Sequence, residues 1–287
     1  MTKYLLFIPK GGLNDCFTGI QRMLDYCKKW NRTLLIDMTN SFYHINMAQW
    51  FTIQQVTDFP RIIYDTIKIR DIIQAKSSKV YPSFLQERLL DILDGKIKLQ
   101  YKRGSIFTVE GNELILPQTK KDEDIIFHSQ CAGGRGIRFF RQVRLHSFLK
   151  DICNQRIKQL PTKYLCIQVR HTDHKCNYEE LYHQNQSFID SYPCIYIATD
   201  NLNVITFFKT KHNNVKNFTT FPSQNTNIPL HYEQEKEVDS NTKMIDLVCD
   251  IFIAIHSQQI LSNSKGGFIN LLRDAFQQRD FFYNKLK

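Results

Sequence analysis

No stretch of the 287-residue chain is apolar over the roughly 20 residues that a membrane-crossing helix needs. No Cys-x-x-Cys pair occurs among the eight cysteines, at 16, 27, 131, 153, 166, 176, 194 and 249. That spacing argues against a zinc site, and several of these cysteines lie inside apolar runs, as reduced, buried thiols in a cytoplasmic compartment would. The opening MTKYLLFIPKGG has one lysine ahead of an apolar patch too short for a secretory signal, so it reads as a first strand. There is no internal repeat and no recognised nucleic-acid-binding module, so the basic balance does not by itself indicate nucleic acid.

What is present is an ordinary globular composition, 42% hydrophobic, with a net charge of +10 spread along the chain. Such a charge suits phosphorylated ligands and leaves open peripheral contact with an anionic membrane. The length fits one large or two modest domains.

The most informative stretch is CIQVRHTD, residues 166–173. The apolar run 164–169 has the pattern of a buried parallel strand, and it stops abruptly at Arg170, His171, Thr172 and Asp173. Strand carboxyl ends are where parallel α/β sheets bind ligands. Arg170 offers a planar fork of donors suited to a phosphate; alternatively it pairs with Asp173 on the surface.

Along the chain, a strand at 4–8 leads through Gly11-Gly12 to a helix starting near Asp15, then to a strand at 33–36. This is a β-loop-α-β unit of a doubly wound sheet, although Gly-Gly is not GxGxxG and fits a tight turn equally well. Residues 41–44 and 50–51 form an aromatic patch that reads as core or as a sugar platform. A helix is expected over 85–93, and a strand at 125–127 before a second glycine-rich turn. Arg135, Arg138, Arg141 and Arg144 then fall three apart on one helical face. Residues 154–163 are polar, contain Pro161 and suggest a boundary, giving domains 1–158 and 159–287.

The second half repeats the rhythm, with strands at 164–169, 194–198 and 259–261 and helices near 178–182, 204–209, 244–255 and from Phe268 onward. Residues 211–241 form a long polar loop of the kind that is functional or mobile. If the strands are parallel, three strand ends share one rim: Arg170 to Asp173, Thr199-Asp200-Asn201, and Ser262 to Gly267. They offer a fork, a carboxylate, and hydroxyls with backbone N–H groups at a helix start, including Ser262, Ser264, Lys265 and Gly266. Together they suit a nucleoside diphosphate.

These motifs resemble the nodulation, α1,6- and protein O-fucosyltransferase group. The resemblance rests on Gln168 to Asp173, Ala198-Thr199-Asp200, Asp246 in MIDLVCD, Ser262 to Ser264, and GGLNDCFTGIQRMLDYCKKWNRTLLID near the amino terminus. It implies a GT-B-like fold, two Rossmann-type α/β domains facing across a cleft. It implies an inverting, metal-independent transfer of a sugar from a GDP-sugar, usually GDP-fucose, to an oligosaccharide or glycolipid hydroxyl, with no cofactor. Arg170 matches the family's pyrophosphate-binding arginine, Asp200 its Ala-Thr-Asp element and Ser264 its phosphate-contacting serine; Asp246, Ser262, Lys265, Gly266, Gly12 and Asn14 complete the expected donor site. Two positions depart from the pattern: His171 stands for a second arginine and Asn201 for a second aspartate. A general base remains to be chosen among Asp15, Asp173, His171 and Glu179, with Glu180 beside the last. His44 and Asn14 belong to the amino-terminal, acceptor-side half. Asp122-Glu123-Asp124 has the Asp-x-Asp form of metal-dependent transferases but lies in a mixed charge run, which favours a solvated loop. Other readings are a transferase for another nucleotide sugar and a non-catalytic binding module on the same fold.

Overall fold

The structure, a computed structural model, describes residues 2–54, 59–75, 79–102, 107–223, 228–230 and 236–287. The loop expected over 211–241 therefore falls partly outside the described residues, at 224–227 and 231–235. The chain divides into two compact units, Met1–Arg144 and Leu145–Lys287.

The first unit is built on a parallel five-stranded sheet in the order Ile62–Ile63, Thr33–Ile36, Tyr4–Lys10, Ile125–Cys131, Val80–Tyr81. Its middle strands are buried on both faces, which is why they read as unbroken apolar runs. Between the first two strands in sequence runs the helix Leu13–Trp30, closed by Asn31 in the left-handed conformation. Gly11 has φ +92°, and a Cβ there would sit 2.6 Å from the Cys131 sulfur, so the first glycine serves the tight turn. Tyr43, Trp50 and Phe51 are all buried, which makes the aromatic patch core.

Between Ile63 and Ile125 the chain differs from the expected pattern. The helix expected over 85–93 is broken: Ser83–Leu85 is a 3₁₀ turn, Glu87 has φ +62°, and only Leu89–Leu93 is helical. A small antiparallel sheet of Leu99–Tyr101, Phe107–Val109 and Asn112–Glu113 also had no clear sequence pattern, since two- and three-residue strands carry almost no periodicity. Nor do the four arginines share a helical face. The helix is Ile137–Phe140 alone, and Arg144 lies in the strand Val143–Leu145, which pairs with Phe51–Ile53; tertiary pairing overrides the local spacing.

The second unit has a parallel sheet in the order Val215–Lys216, Ile195–Thr199, Leu165–Val169, Gln259–Leu261. Numbered by sequence this is 3-2-1-4, half of a doubly wound fold. The connecting helices are Tyr178–Asp190, Leu202–Lys211 and Ser240–His256, and Gly267–Gln277 follows the last strand. The helix Ser147–Lys158 packs on Ser240–His256, so the polar stretch after residue 154 ends a helix of the second unit and the units part earlier, after Arg144. Among the described residues no helix is long and apolar enough to cross a membrane.

Beneath this sheet lies a buried polar cluster. Tyr196 donates to Asp250 at 2.5 Å, Thr219 donates to its other oxygen at 3.4 Å, and Arg156 pairs with Asp246 at 2.7 Å. Burial pushes the Asp250 carboxyl up to about 7; the Tyr196 hydrogen bond opposes this, Asp246 adds to it, and Arg156 opposes it. An aspartate in the unfolded chain titrates near about 3.9. The folded protein thus keeps a proton that the unfolded chain has already lost, so this contribution to stability is present below about pH 4 and is lost as pH rises through about 7. Asp250→Asn should therefore gain stability relative to the wild type between pH 5 and pH 8, by on the order of 1–2 kcal/mol. Urea unfolding at the two pH values measures it; a difference that does not change with pH would contradict the assignment.

Candidate functional site

In the second sheet the strand order reverses between Leu165–Val169 and Gln259–Leu261. The crevice outside the carboxyl ends of such a pair is the ligand position of doubly wound sheets. Here those ends are Arg170 to Asp173 and Ser262 to Gly267, with Asp200 closing the third strand end beside them. The three expected strand ends do share one rim.

The two ends flanking the reversal are joined by Ser264. Its buried hydroxyl accepts the Arg170 backbone N–H at 2.9 Å and the Cys176 thiol at 3.3 Å, and donates to the Gln168 carbonyl at 3.5 Å. One donor and two acceptor positions are a hydroxyl's full capacity. Ser262 completes the tie: it donates to the Gln168 side chain at 3.0 Å and accepts the Ser264 N–H at 3.0 Å. Both serines thus fix the backbone from which Arg170 projects. Gln168, the single amide in an otherwise apolar strand, is the sequence signal for this tie.

Asp200 holds the other side of the turn. Its oxygens accept the His171 N–H at 2.8 Å and the buried Thr172 hydroxyl at 2.5 Å. Burial raises this carboxyl above the ordinary aspartate range, and those two hydrogen bonds pull against the rise. Asn201 adds a bond from its amide to the His171 carbonyl at 3.3 Å and caps the next helix through Asn203 N–H at 2.9 Å. The His171 ring meets the Cys176 carbonyl at 2.9 Å and stands edge-on to Tyr178, with centroids 4.8 Å apart.

Held in this way, Arg170 forms a two-point pair with Asp173, Nε to Oδ1 at 2.7 Å and a terminal nitrogen to Oδ2 at 2.5 Å. The side chains are 22% and 26% exposed. Burial works to raise the Asp173 carboxyl, but the Arg170 fork outweighs it and holds the group below its usual range. The other terminal nitrogen of Arg170 faces Gly266: a Cβ placed on that residue would lie 3.4 Å from it. Gly266 has φ +134° and caps the helix Gly267–Gln277 without any side-chain cap. A guanidinium therefore stands beside the positive end of an eleven-residue helix, an arrangement that an anion with several oxygens would relieve. Lys265, on the same turn, is exposed. Next to the turn lies an open depression of about 380 Å³ lined by His171, Lys175, Cys176, Asn177, Tyr178 and Glu179.

Asp246 lies apart from these contacts: its side chain, 4% exposed, takes Arg156 and the Thr220 N–H at 2.7 Å. Glu180 accepts from Gln184 at 2.9 Å on the helix that follows the turn.

The remaining expected residues belong to the first unit. There the strand order reverses between Tyr4–Lys10 and Ile125–Cys131. Gly12 is the amino-terminal cap of Leu13–Trp30, and Asp15 stands in its first turn. Buried Asn14 clips the two glycine turns together, its amide donating to the Gly134 carbonyl at 2.8 Å and its oxygen accepting the Gly136 N–H at 2.9 Å. His44, exposed and at φ +50°, has its ring 2.9 Å from the Thr39 carbonyl. Asp122 pairs with Lys3 at 3.0 Å and Asp124 accepts the Lys79 N–H at 3.1 Å, at the amino end of their strand and so at the edge of the sheet opposite the reversal.

Two parallel sheets, each with a strand reversal flanked by at least one glycine-bearing turn, define a two-domain Rossmann-like α/β fold of the GT-B kind. The solved structures with this fold include NodZ α-1,6-fucosyltransferase. Its structure co-crystallized with GDP matches with a TM-score of 0.60 at 15% identity, covering 95% of this chain and 92% of that one. The structure soaked with GDP-fucose gives 0.62 at 15% identity over 95% and 92%, and that of the Bradyrhizobium fucosyltransferase NodZ 0.59 at 15% over 95% and 93%. No protein-family model matches the sequence, and no curated protein matches it.

If Ser264 is the tie between the strand ends, Ser264→Ala should lower stability by about 1–3 kcal/mol, the cost of leaving a buried donor unpaired. Lys265→Ala, on the exposed neighbour, should stay within about 0.5 kcal/mol of the wild type. Urea unfolding compares them, and equal stabilities would remove the tie.

Proposed function

We propose that the protein is an inverting glycosyltransferase that moves a sugar, L-fucose as the leading candidate, from a GDP-sugar to a hydroxyl of an oligosaccharide or glycolipid acceptor. The observation that carries this reading is the Arg170 fork beside the uncapped helix start at Gly267, across Gly266, at a strand reversal. Arg170 and the helix N–H groups would hold the diphosphate and stabilise the charge that grows on it as the glycosidic bond breaks. The anomeric carbon then bonds to the acceptor oxygen from the opposite face, and a base takes the acceptor proton. Asp173, His171, Glu179 and Asp15 stay in contention for that base. The open depression at residues 171–179 lies beside this turn, where the rest of the donor would extend. The Asp122 to Asp124 run, occupied with Lys3 and the Lys79 backbone, has no part in the step. The basic balance of the chain allows an acceptor presented at an anionic membrane, and the cysteine pattern suits a cytoplasmic enzyme.

Release of GDP from GDP-fucose, dependent on a glycan acceptor and undiminished by a chelator, is the expected result. Arg170→Ala, checked for folding, should weaken GDP binding by about ten- to a hundredfold, since each charge-assisted bond contributes roughly 1.5–3 kcal/mol. Binding of GDP without turnover on any glycan would favour a nucleotide-sugar-binding module. Equal GDP affinity in the wild type and Arg170→Ala would remove Arg170 from the site.

A further inference from the structure

Asp200 and Asp173 flank the same turn and are spent differently. Asp200 accepts a backbone N–H and a buried hydroxyl and so builds the turn. Asp173 puts both oxygens on the Arg170 fork, with a longer 3.4 Å contact from the Thr172 hydroxyl. Arg170 itself is fixed from behind through its backbone N–H on Ser264. The position of the Arg170 backbone thus does not depend on Asp173, whose carboxylate fills the atoms of the fork that would grip a diphosphate.

A carboxylate and a phosphate present paired oxygens to a guanidinium in the same two-point way. They differ in what else they reach. Asp173 ends at the fork, whereas a diphosphate has further oxygens for the helix start beyond Gly266. In the empty site a carboxylate held below its usual range by a guanidinium is a poor proton acceptor, so Asp173 enters here as the partner of the fork and not as a base.

We propose that Asp173 is an internal stand-in for the diphosphate: it occupies the Arg170 fork until the nucleotide displaces it, and the nucleotide binds by exchange. This rests on the nucleotide-binding reading above. Asp173 keeps the guanidinium aimed and neutralised in the empty site. It also lowers the affinity for donor and product alike, since each must first break the internal pair.

The test is a double-mutant cycle by calorimetry with GDP on the wild type, Asp173→Asn, Arg170→Ala and the double variant, each checked by thermal melting. Asp173→Asn should bind GDP about five- to tenfold more tightly, the equivalent of roughly 1–1.4 kcal/mol. In the Arg170→Ala background the same change should alter affinity by less than about twofold, because there is no fork left to contest. An equal gain in both backgrounds would mean a general effect of removing negative charge and would overturn the exchange. So would weaker binding by Asp173→Asn, which would make Asp173 a positioning residue. Unchanged GDP affinity with lost turnover would make it a base and equally overturn the proposal. If the wild type binds neither GDP nor GDP-fucose, the nucleotide reading itself fails, and the exchange with it.

Discussion

The hydrogen bond from the Arg170 backbone N–H to the Ser264 hydroxyl is the constraint on which the candidate site depends. It joins two strand ends that are 94 residues apart in sequence and adjacent across the strand reversal. Without it the arginine would sit on a free loop end. With it, the guanidinium is carried at the end of a strand whose five residues are all buried. The remaining polar contacts elaborate this bond. Gln168 receives both serines, Cys176 donates its thiol to Ser264, and Asp200 draws the His171 backbone and Thr172 toward the third strand.

The first unit solves the same problem with a different residue. Its strand reversal is bounded by two glycine turns, and Asn14 bonds across them to the Gly134 carbonyl and Gly136 N–H. Ser129 adds a bond to the Ile8 carbonyl at 2.8 Å between the central strands. In each unit a short buried polar side chain supplies the hydrogen bonds that irregular backbone at a strand end cannot find within the sheet. The glycines that make room for these turns are therefore consequences of the architecture as much as of any ligand.

Much of this was legible in the sequence because parallel strands buried on both faces leave long apolar runs, and those runs end where the sheet ends. Strand Thr33–Ile36, strand Leu165–Val169 and the shared rim of Arg170, Asp200 and Ser264 are legible on that basis. The excursion between residues 60 and 120 was not legible, because its strands are only two or three residues long. Residue roles were less legible than residue positions. Sequence places Ser264 and Asp200 at the rim, but only the hydrogen bonds show the two side chains engaged in holding the turn. Asp246 has the composition of a ligand contact and proves to be paired with Arg156, which a helix pattern cannot reveal. The pairing of Arg170 with Asp173 was one of two readings open from spacing alone. The structure shows the pair together with the opening at Gly266 that makes it more than a surface contact.

On the proposed function, the site recognises a diphosphate through Arg170 and the helix start at Gly267. The most direct measurement compares guanosine, GMP and GDP by calorimetry on the wild-type protein. Affinity should rise at the second phosphate by about tenfold or more, the equivalent of roughly 1.4 kcal/mol, and the rise should weaken as salt is added. Guanosine, GMP and GDP binding with equal affinity would place recognition elsewhere and contradict it.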